Sequence, residues 1–157
     1  MSVISVFKAE SVLKPPELDL QSIQTWQRCF LVWAALVGAL GVALAALGAH
    51  AFADVLIGKA ELRFATALRM HLVHAPSLLI LAGVLHLSSP RWWLAACLAM
   101  SLGSLVFCGG LYLAALGVSN ALLPIVPIGG ATLIGAWLLA VVAFLRAPRT
   151  GLLPSPR

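Results

Sequence analysis

The sequence contains little charge. Of its 157 residues, ten are Lys or Arg and five are Asp or Glu, which together make up 10% of the chain. A soluble domain carries about 25% charged residues, so this composition excludes an ordinary soluble protein. Hydrophobic residues account for 62%, which indicates a chain surrounded mostly by lipid. The net charge of +5 comes from basic residues scattered at the ends of apolar runs. Such placement favours membrane topology signals and headgroup contacts over nucleic-acid binding.

Cysteine is also scarce. The three cysteines, Cys29, Cys97 and Cys108, lie in or beside apolar runs and show no CxxC spacing. Their odd number argues against a disulfide framework. We interpret them as small apolar packing residues.

Acidic residues and catalytic patterns are missing from the long apolar runs. Without Asp or Glu there, a carboxylate proton relay or a cation-coupled transport site has no obvious residues. No inverted repeat of the secondary-transporter kind is apparent. The serines in these runs lack an acidic partner and a GxSxG nucleophile elbow. The sequence therefore predicts that the protein is not an enzyme.

What the sequence does have is four long apolar runs. A helix needs about 20 apolar residues to cross a hydrocarbon core of about 30 Å. The runs predict spans at about 30–49, 66–87, 92–116 and 122–145. Short connections make consecutive spans antiparallel neighbours. The predicted fold is therefore an all-α integral membrane protein, an up-down four-helix transmembrane bundle.

One longer connection and the two chain ends lie outside these runs. Charged and apolar residues mix between spans one and two, which predicts an interfacial amphipathic segment there. We expect an extramembrane N-terminal tail over 1–27, a four-span membrane domain over 28–147 and a C-terminal tail over 148–157.

The basic residues predict an orientation. The side of the two termini carries Lys8, Lys14, Arg28, Arg91, Arg146, Arg149 and Arg157, whereas the other side carries Lys59, Arg63 and Arg69. The positive-inside rule then places both termini in the cytoplasm. Trp26, Trp33, Trp92 and Trp93 fall near the same interface as an aromatic belt. Trp137 lies inside span four and does not fit that interpretation.

Small residues recur at helical spacing within the spans. In lipid, such residues allow helix backbones to approach closely. We expect helix packing at Gly38, Gly41, Ala45, Gly48, Gly109, Gly129 and Gly130. The stripe in span one is hypothesised to be a helix–helix contact surface. Room for a substrate or cofactor between the helices is an alternative that the sequence leaves open.

Four segments also occur together in a familiar order: GALGVALAALGAHAF (38–52), FATALRMHLVHA (64–75), FCGGLYLAALG (107–117) and PIVPIGGATLIGAWLLA (124–140). They resemble the domain of unknown function 423 family, the YgdD-like and transmembrane protein 256-like small membrane proteins. The positions that match this family include His50, Thr66, His74, Tyr112 and Pro127. The resemblance implies a four-helix integral membrane protein, in bacteria of the inner membrane, and brings no established activity with it.

Three histidines are the remaining candidates for a site. His71 and His74 share one helical face, and His50 ends span one on the same predicted side of the membrane. Together they could bind zinc, copper or haem iron, or act as a pH-sensitive switch. The alternative is that they hydrogen-bond within the fold or contact headgroups, in which case the protein has no cofactor. His86 is expected to be interfacial.

Three functions stay open on these grounds. The first, which the sequence favours, is a structural or accessory membrane component that assembles with itself or with a larger complex. The second is a metal- or haem-binding protein that uses His50, His71 and His74. The third is a small channel or carrier for a neutral or apolar solute.

Overall fold

The computed structural model describes residues 20–84 and 90–147. In these ranges it contains the four helices α1 (Leu20–Ala49), α2 (Lys59–Gly83), α3 (Pro90–Ala115) and α4 (Val126–Leu145). All four are long and apolar enough to cross a membrane. The predicted all-α four-helix membrane bundle is thereby confirmed for the described part of the chain.

The helix bounds differ from the predicted spans at their N-terminal ends. Residues 20–27, which we expected in the tail, form the start of α1, and the mixed connection between the first two spans becomes the start of α2 at Lys59. Residues 1–19, 148–157 and His86 lie outside the described residues. The division into tails and a membrane domain, like the interfacial segment, stays a prediction.

Glycine and proline mark where the helices begin and end. Gly58, with a φ of 63°, directly precedes α2, and Gly117, with a φ of 71°, follows α3; only glycine adopts this left-handed backbone without steric cost. α3 begins at Pro90 and α4 has Pro127 in its first turn, where the missing N–H removes no helical hydrogen bond. Pro76 lies inside α2, which continues through it.

Contacts near the helix ends join the start of α1 to the end of α2 and the start of α3 to the end of α4. The Gln27 side chain at the start of α1 donates hydrogen bonds to the carbonyls of Ala82 and Gly83 at the end of α2, both at 3.1 Å. Trp93 near the start of α3 contacts Phe144 near the end of α4, with 4.6 Å between the ring centroids. α1 lies along α2 and touches α3 only slightly.

α3 and α4 approach each other backbone to backbone at glycines. A Cβ added at Gly129 would lie 2.7 Å from the backbone nitrogen of Phe107, and one added at Gly103 would lie 3.0 Å from the backbone nitrogen of Leu133. At Gly110 it would lie 2.7 Å from a methyl carbon of Val126. The backbones of α3 and α4 approach this closely because no side chain separates them.

Glycines also lie at the contact between α1 and α2. A Cβ at Gly48 would lie 2.5 Å from the Phe64 ring, and one at Gly41 would lie 3.0 Å from the Leu72 side chain. Gly38 is less crowded, with the Ala75 Cβ 3.9 Å away. Other glycines face open space: nothing lies within 4 Å of a Cβ added at Gly109 or Gly135.

Candidate functional site

His71 links three helices through its two ring nitrogens. The side chain is buried on α2 and its Nε2 lies 2.9 Å from the carbonyl oxygen of Val37 on α1. A carbonyl only accepts, so Nε2 carries a proton and donates it. Nδ1 lies 3.2 Å from the Tyr112 hydroxyl on α3. In the neutral imidazole Nδ1 carries no proton, so the Tyr112 hydroxyl donates to Nδ1. His71 thus connects α1, α2 and α3 with no ring nitrogen left open.

His74, one turn further along α2, is bound in the opposite tautomer. Its Nδ1 lies 2.7 Å from the carbonyl oxygen of Met70 and donates to it. The indole N–H of Trp137 on α4 donates to Nε2 across 3.3 Å. Because an indole nitrogen can only donate and a carbonyl can only accept, the proton must be on Nδ1. The lone pair on Nε2, which a metal ion would need, is occupied by Trp137.

The structure places His50 apart from these two residues. His50 follows the end of α1 and is exposed, with its backbone N–H bound to the Ala46 carbonyl at 3.1 Å. His71 lies beside Gly41, which is about 13 Å from His50 along the helix axis at 1.5 Å per residue. Within residues 20–84 and 90–147, no three His, Cys, Asp or Glu side chains lie together as a metal site would require.

The other family-matching positions serve local structure or packing. The Thr66 hydroxyl donates to the Leu62 carbonyl of its own helix at 2.7 Å. The Tyr112 ring packs edge-on against Phe64, with centroids 5.1 Å apart, while its hydroxyl meets His71. Pro127 lies in the first turn of α4. Of the predicted site residues, the structure therefore joins His71 to Tyr112 and leaves His50 and Thr66 elsewhere.

Sequence reasoning missed the partners of both histidines. Val37 contributes only a backbone carbonyl, which no side-chain pattern can reveal. Trp137 gave a signal, because it lies inside a span where no aromatic belt is expected. The single tyrosine of the chain, at position 112 in the third span, gave another.

A cavity of about 120 Å³ lies next to the histidines. It separates α1 from α3, and α2 forms its back wall. Its lining comprises Trp33, Val37, Leu40, Leu44, His71, His74, Ala75, Leu78, Ser101, Ser104, Leu105, Cys108, Gly109 and Tyr112. A second cavity, of about 270 Å³, continues toward the start of α1 and shares Trp33, Ser101 and Leu105 with the first. The two cavities form one groove between α1 and α3, which we call the α1–α3 groove.

Comparison with known proteins identifies a matching family model and several membrane-protein relatives. Residues 44–130 match the family model "Protein of unknown function (DUF423)". The chain is 30% identical to the UPF0382 inner membrane protein YgdD of Escherichia coli K12 over 125 residues, 79% of this chain and 95% of that protein. It is 36% identical to a UPF0382 membrane protein of Haemophilus influenzae over 112 residues, 69% of this chain and 87% of that protein.

A relative of lower identity comes from Bacillus subtilis. The UPF0382 membrane protein YwdK of Bacillus subtilis is 27% identical over 126 residues, 76% of this chain and 98% of that protein. No solved structure matches the chain. With four helices able to span a bilayer and a family model that covers more than half its length, the chain is a small multi-pass membrane protein that belongs to the DUF423 family.

Proposed function

We propose that this protein is a structural or accessory membrane component that assembles with other membrane helices through the outward face of α1. The observation that carries the proposal is the position of α1, which packs along α2 and barely touches α3. Its opposite face is exposed and presents Ala35, Ala39 and Ala43 at intervals of four residues. In lipid, small residues at this spacing let a second helix approach closely.

The two interior histidines support the same proposal. His71 and His74 use their ring nitrogens to connect helices, through Val37, Tyr112 and Trp137. Hydrogen bonds between helices stabilise membrane bundles because the surrounding hydrocarbon offers no other partner. The two interior histidines thus stabilise the fold of a single chain, and the proposed assembly uses the outward surface of α1.

The glycine stripe of α1, hypothesised as a helix–helix contact surface, lies against α2 of the same molecule, so the proposed assembly face is a different one. Gly41 and Gly48 face α2 of the same molecule, against Leu72 and Phe64. Replacing them by leucine would disturb the monomer and would report on folding as much as on assembly. The exposed alanines of α1 allow a test that leaves the monomer intact.

The experiment compares particle masses in mild detergent. A C-terminally tagged chain is extracted, its native mass is measured and the chains that co-purify are identified. We expect a particle heavier than one chain, which the double variant Ala39→Leu/Ala43→Leu reduces to a monomer. Ala131→Leu, at an exposed alanine of α4, is the matched control and should behave like the wild type. A monomeric wild type without partners, or a double variant that assembles normally, would contradict the proposal.

A further inference from the structure

The α1–α3 groove lies within the part of the bundle that is long enough to cross the bilayer. Along α3 it extends from Leu98 to Tyr112, which is about 21 Å at 1.5 Å per residue. This length exceeds half of a hydrocarbon core of about 30 Å. The groove follows the helices, so a chain lying in it would be aligned with the lipid chains around the protein.

The walls of the groove favour a hydrocarbon occupant. Most lining side chains are aliphatic or aromatic. The polar side chains among them are largely engaged: His71 and His74 in the bonds given above, Tyr112 with His71, and Ser101 with the Cys97 carbonyl at 2.8 Å. A ligand that carries several polar groups would find few partners here, whereas an acyl chain needs none.

Charge at one end of the groove indicates which lipid would bind. Arg91, Leu98, Leu105 and Tyr112 are spaced seven residues apart on α3 and so lie on one face of the helix. Arg91 is exposed about 10 Å before Leu98 along the helix axis. The described part of the chain contains two acidic residues, Asp54 and Glu61. Asp54 precedes α2 and Glu61 lies in its first turn, at the end of the bundle opposite to Arg91. Among the described residues, no acidic side chain at this end of the bundle therefore competes with a lipid phosphate for Arg91.

We propose that the α1–α3 groove binds one acyl chain of an anionic phospholipid, whose headgroup is held at Arg91. The chain runs from Arg91 past Leu98 and Ser101 and fills the space where α1 and α3 fail to meet. It contacts both helices and so supports α1, which otherwise packs mainly against α2. This site is separate from the assembly face of the proposed function, because the exposed alanines lie on the other side of α1.

The test uses phosphatidylglycerol with a photoreactive group in the middle of one acyl chain. The purified full-length protein is placed in nanodiscs with a small fraction of this lipid, and cross-linked residues are mapped after illumination. We expect labelling of Leu98, Leu102 and Leu105 on α3. Phosphatidylcholine with the same chain should label these residues about fivefold less, as one arginine near an anionic headgroup predicts.

Two pairs of variants separate groove binding from the general lipid annulus. Ser101→Leu places a larger side chain where the two cavities join, and should reduce labelling of the groove to background. Ser77→Leu is its control, since Ser77 likewise bonds only to a carbonyl of its own helix, that of Val73 at 2.8 Å. Arg91→Gln should lower phosphatidylglycerol labelling to the phosphatidylcholine level, whereas Arg28→Gln, on the side of α1 away from the groove, should not.

The outcomes decide the proposal even if Ser101→Leu folds poorly, because Arg91→Gln alters only an exposed side chain. Equal labelling by the two lipids in the wild-type protein would overturn it. So would groove labelling that is the same in Ser101→Leu and Ser77→Leu when both are folded. Loss of labelling with Ser101→Leu and loss of lipid preference with Arg91→Gln, against unchanged controls, would support it.

Discussion

The α3–α4 pair and the α1–α2 pair are held together in different ways. α3 and α4 meet backbone to backbone at Gly103 and Gly129. α1 meets α2 through side chains, with the Gly48–Phe64 contact, the His71 bond to Val37 and the bonds that Gln27 donates. On the side that faces α3, α1 borders the α1–α3 groove over much of its length. Burial of apolar surface gives little attraction between helices in lipid. Backbone packing therefore holds α3 to α4, whereas side-chain packing and polar bonds together hold α1 to α2.

The largest expected effect comes from separating α3 and α4. Gly129→Leu would place a side chain where the Phe107 backbone nitrogen lies 2.7 Å from the added Cβ, and neither backbone can move without opening the interface. We expect a loss of more than about 3 kcal/mol in the free energy of unfolding, or no folded protein. Gly135→Leu, on the same helix with open space around it, should change stability little. Unfolding in mixed micelles followed by circular dichroism measures both, and equal stabilities would refute the close α3–α4 contact.

A smaller effect is expected where α1 meets α2. A Cβ at Gly48 lies 2.5 Å from the Phe64 ring, and the ring must shift to admit it. We expect Gly48→Ala to lose about 1–2 kcal/mol of stability. Gly38→Ala has ordinary contact distances and should gain up to about 1 kcal/mol from the better helix propensity of alanine. The same unfolding assay compares the two variants, and a Gly48→Ala protein as stable as Gly38→Ala would contradict the described contact.

The polar link between α1, α2 and α3 should contribute less than either contact. His71→Phe removes the bonds to Val37 and Tyr112, and interhelical hydrogen bonds in membranes contribute about 0.6 kcal/mol each, up to about 1.7. We expect a loss of about 1 kcal/mol. A double-mutant cycle with Tyr112→Phe isolates the His71–Tyr112 bond, and additive effects of the two substitutions would show that this bond contributes nothing.

The smallest effect is expected at the hydrogen bond between Trp137 on α4 and His74 on α2. Trp137→Phe keeps an aromatic ring next to His74 but removes the indole N–H that donates to it. Because Trp137 is half exposed, we expect a loss of about 0.5 kcal/mol. Trp92→Phe is the comparison variant. Trp92 lies near the start of α3, where its ring contacts Arg146, and its substitution shows the cost of losing an indole that does not bond to His74. If Trp137→Phe lost more free energy of unfolding than His71→Phe, the bond of His74 would contribute more than those of His71, contrary to this prediction.

The sequence predicts the positions of the helices more readily than it predicts which helices contact one another. Apolar runs without charge define helices in lipid, which is why four helices could be predicted. Their N-terminal ends were harder to predict, because Leu20 and Lys59 begin helices among polar residues that hydropathy does not assign to a span. Gly58, which directly precedes Lys59, marks the start of α2 instead.

The histidines show where sequence reasoning stops. Spacing predicts that His71 and His74 share one helical face, whereas their rings contact different helices, through Tyr112 on α3 and Trp137 on α4. Which helix each ring meets depends on how the bundle packs, and a backbone carbonyl such as that of Val37 leaves no trace in a residue pattern. The prediction that His50 could join them relied on a shared membrane side, which does not fix the depth along a helix.

The measurement that tests the account most directly is the protonation pattern of the two imidazoles. Nitrogen-15 spectra of histidine-labelled protein in bilayers, assigned with His71→Phe and His74→Phe, distinguish the Nδ1–H from the Nε2–H tautomer. We expect Nε2–H for His71 and Nδ1–H for His74, both unchanged by added zinc or haem, because each lone pair already accepts a hydrogen bond. The same tautomer at both positions would contradict the hydrogen bonds described for the two rings. A joint shift of the two rings on adding zinc would show that these histidines bind a ligand rather than connect the helices.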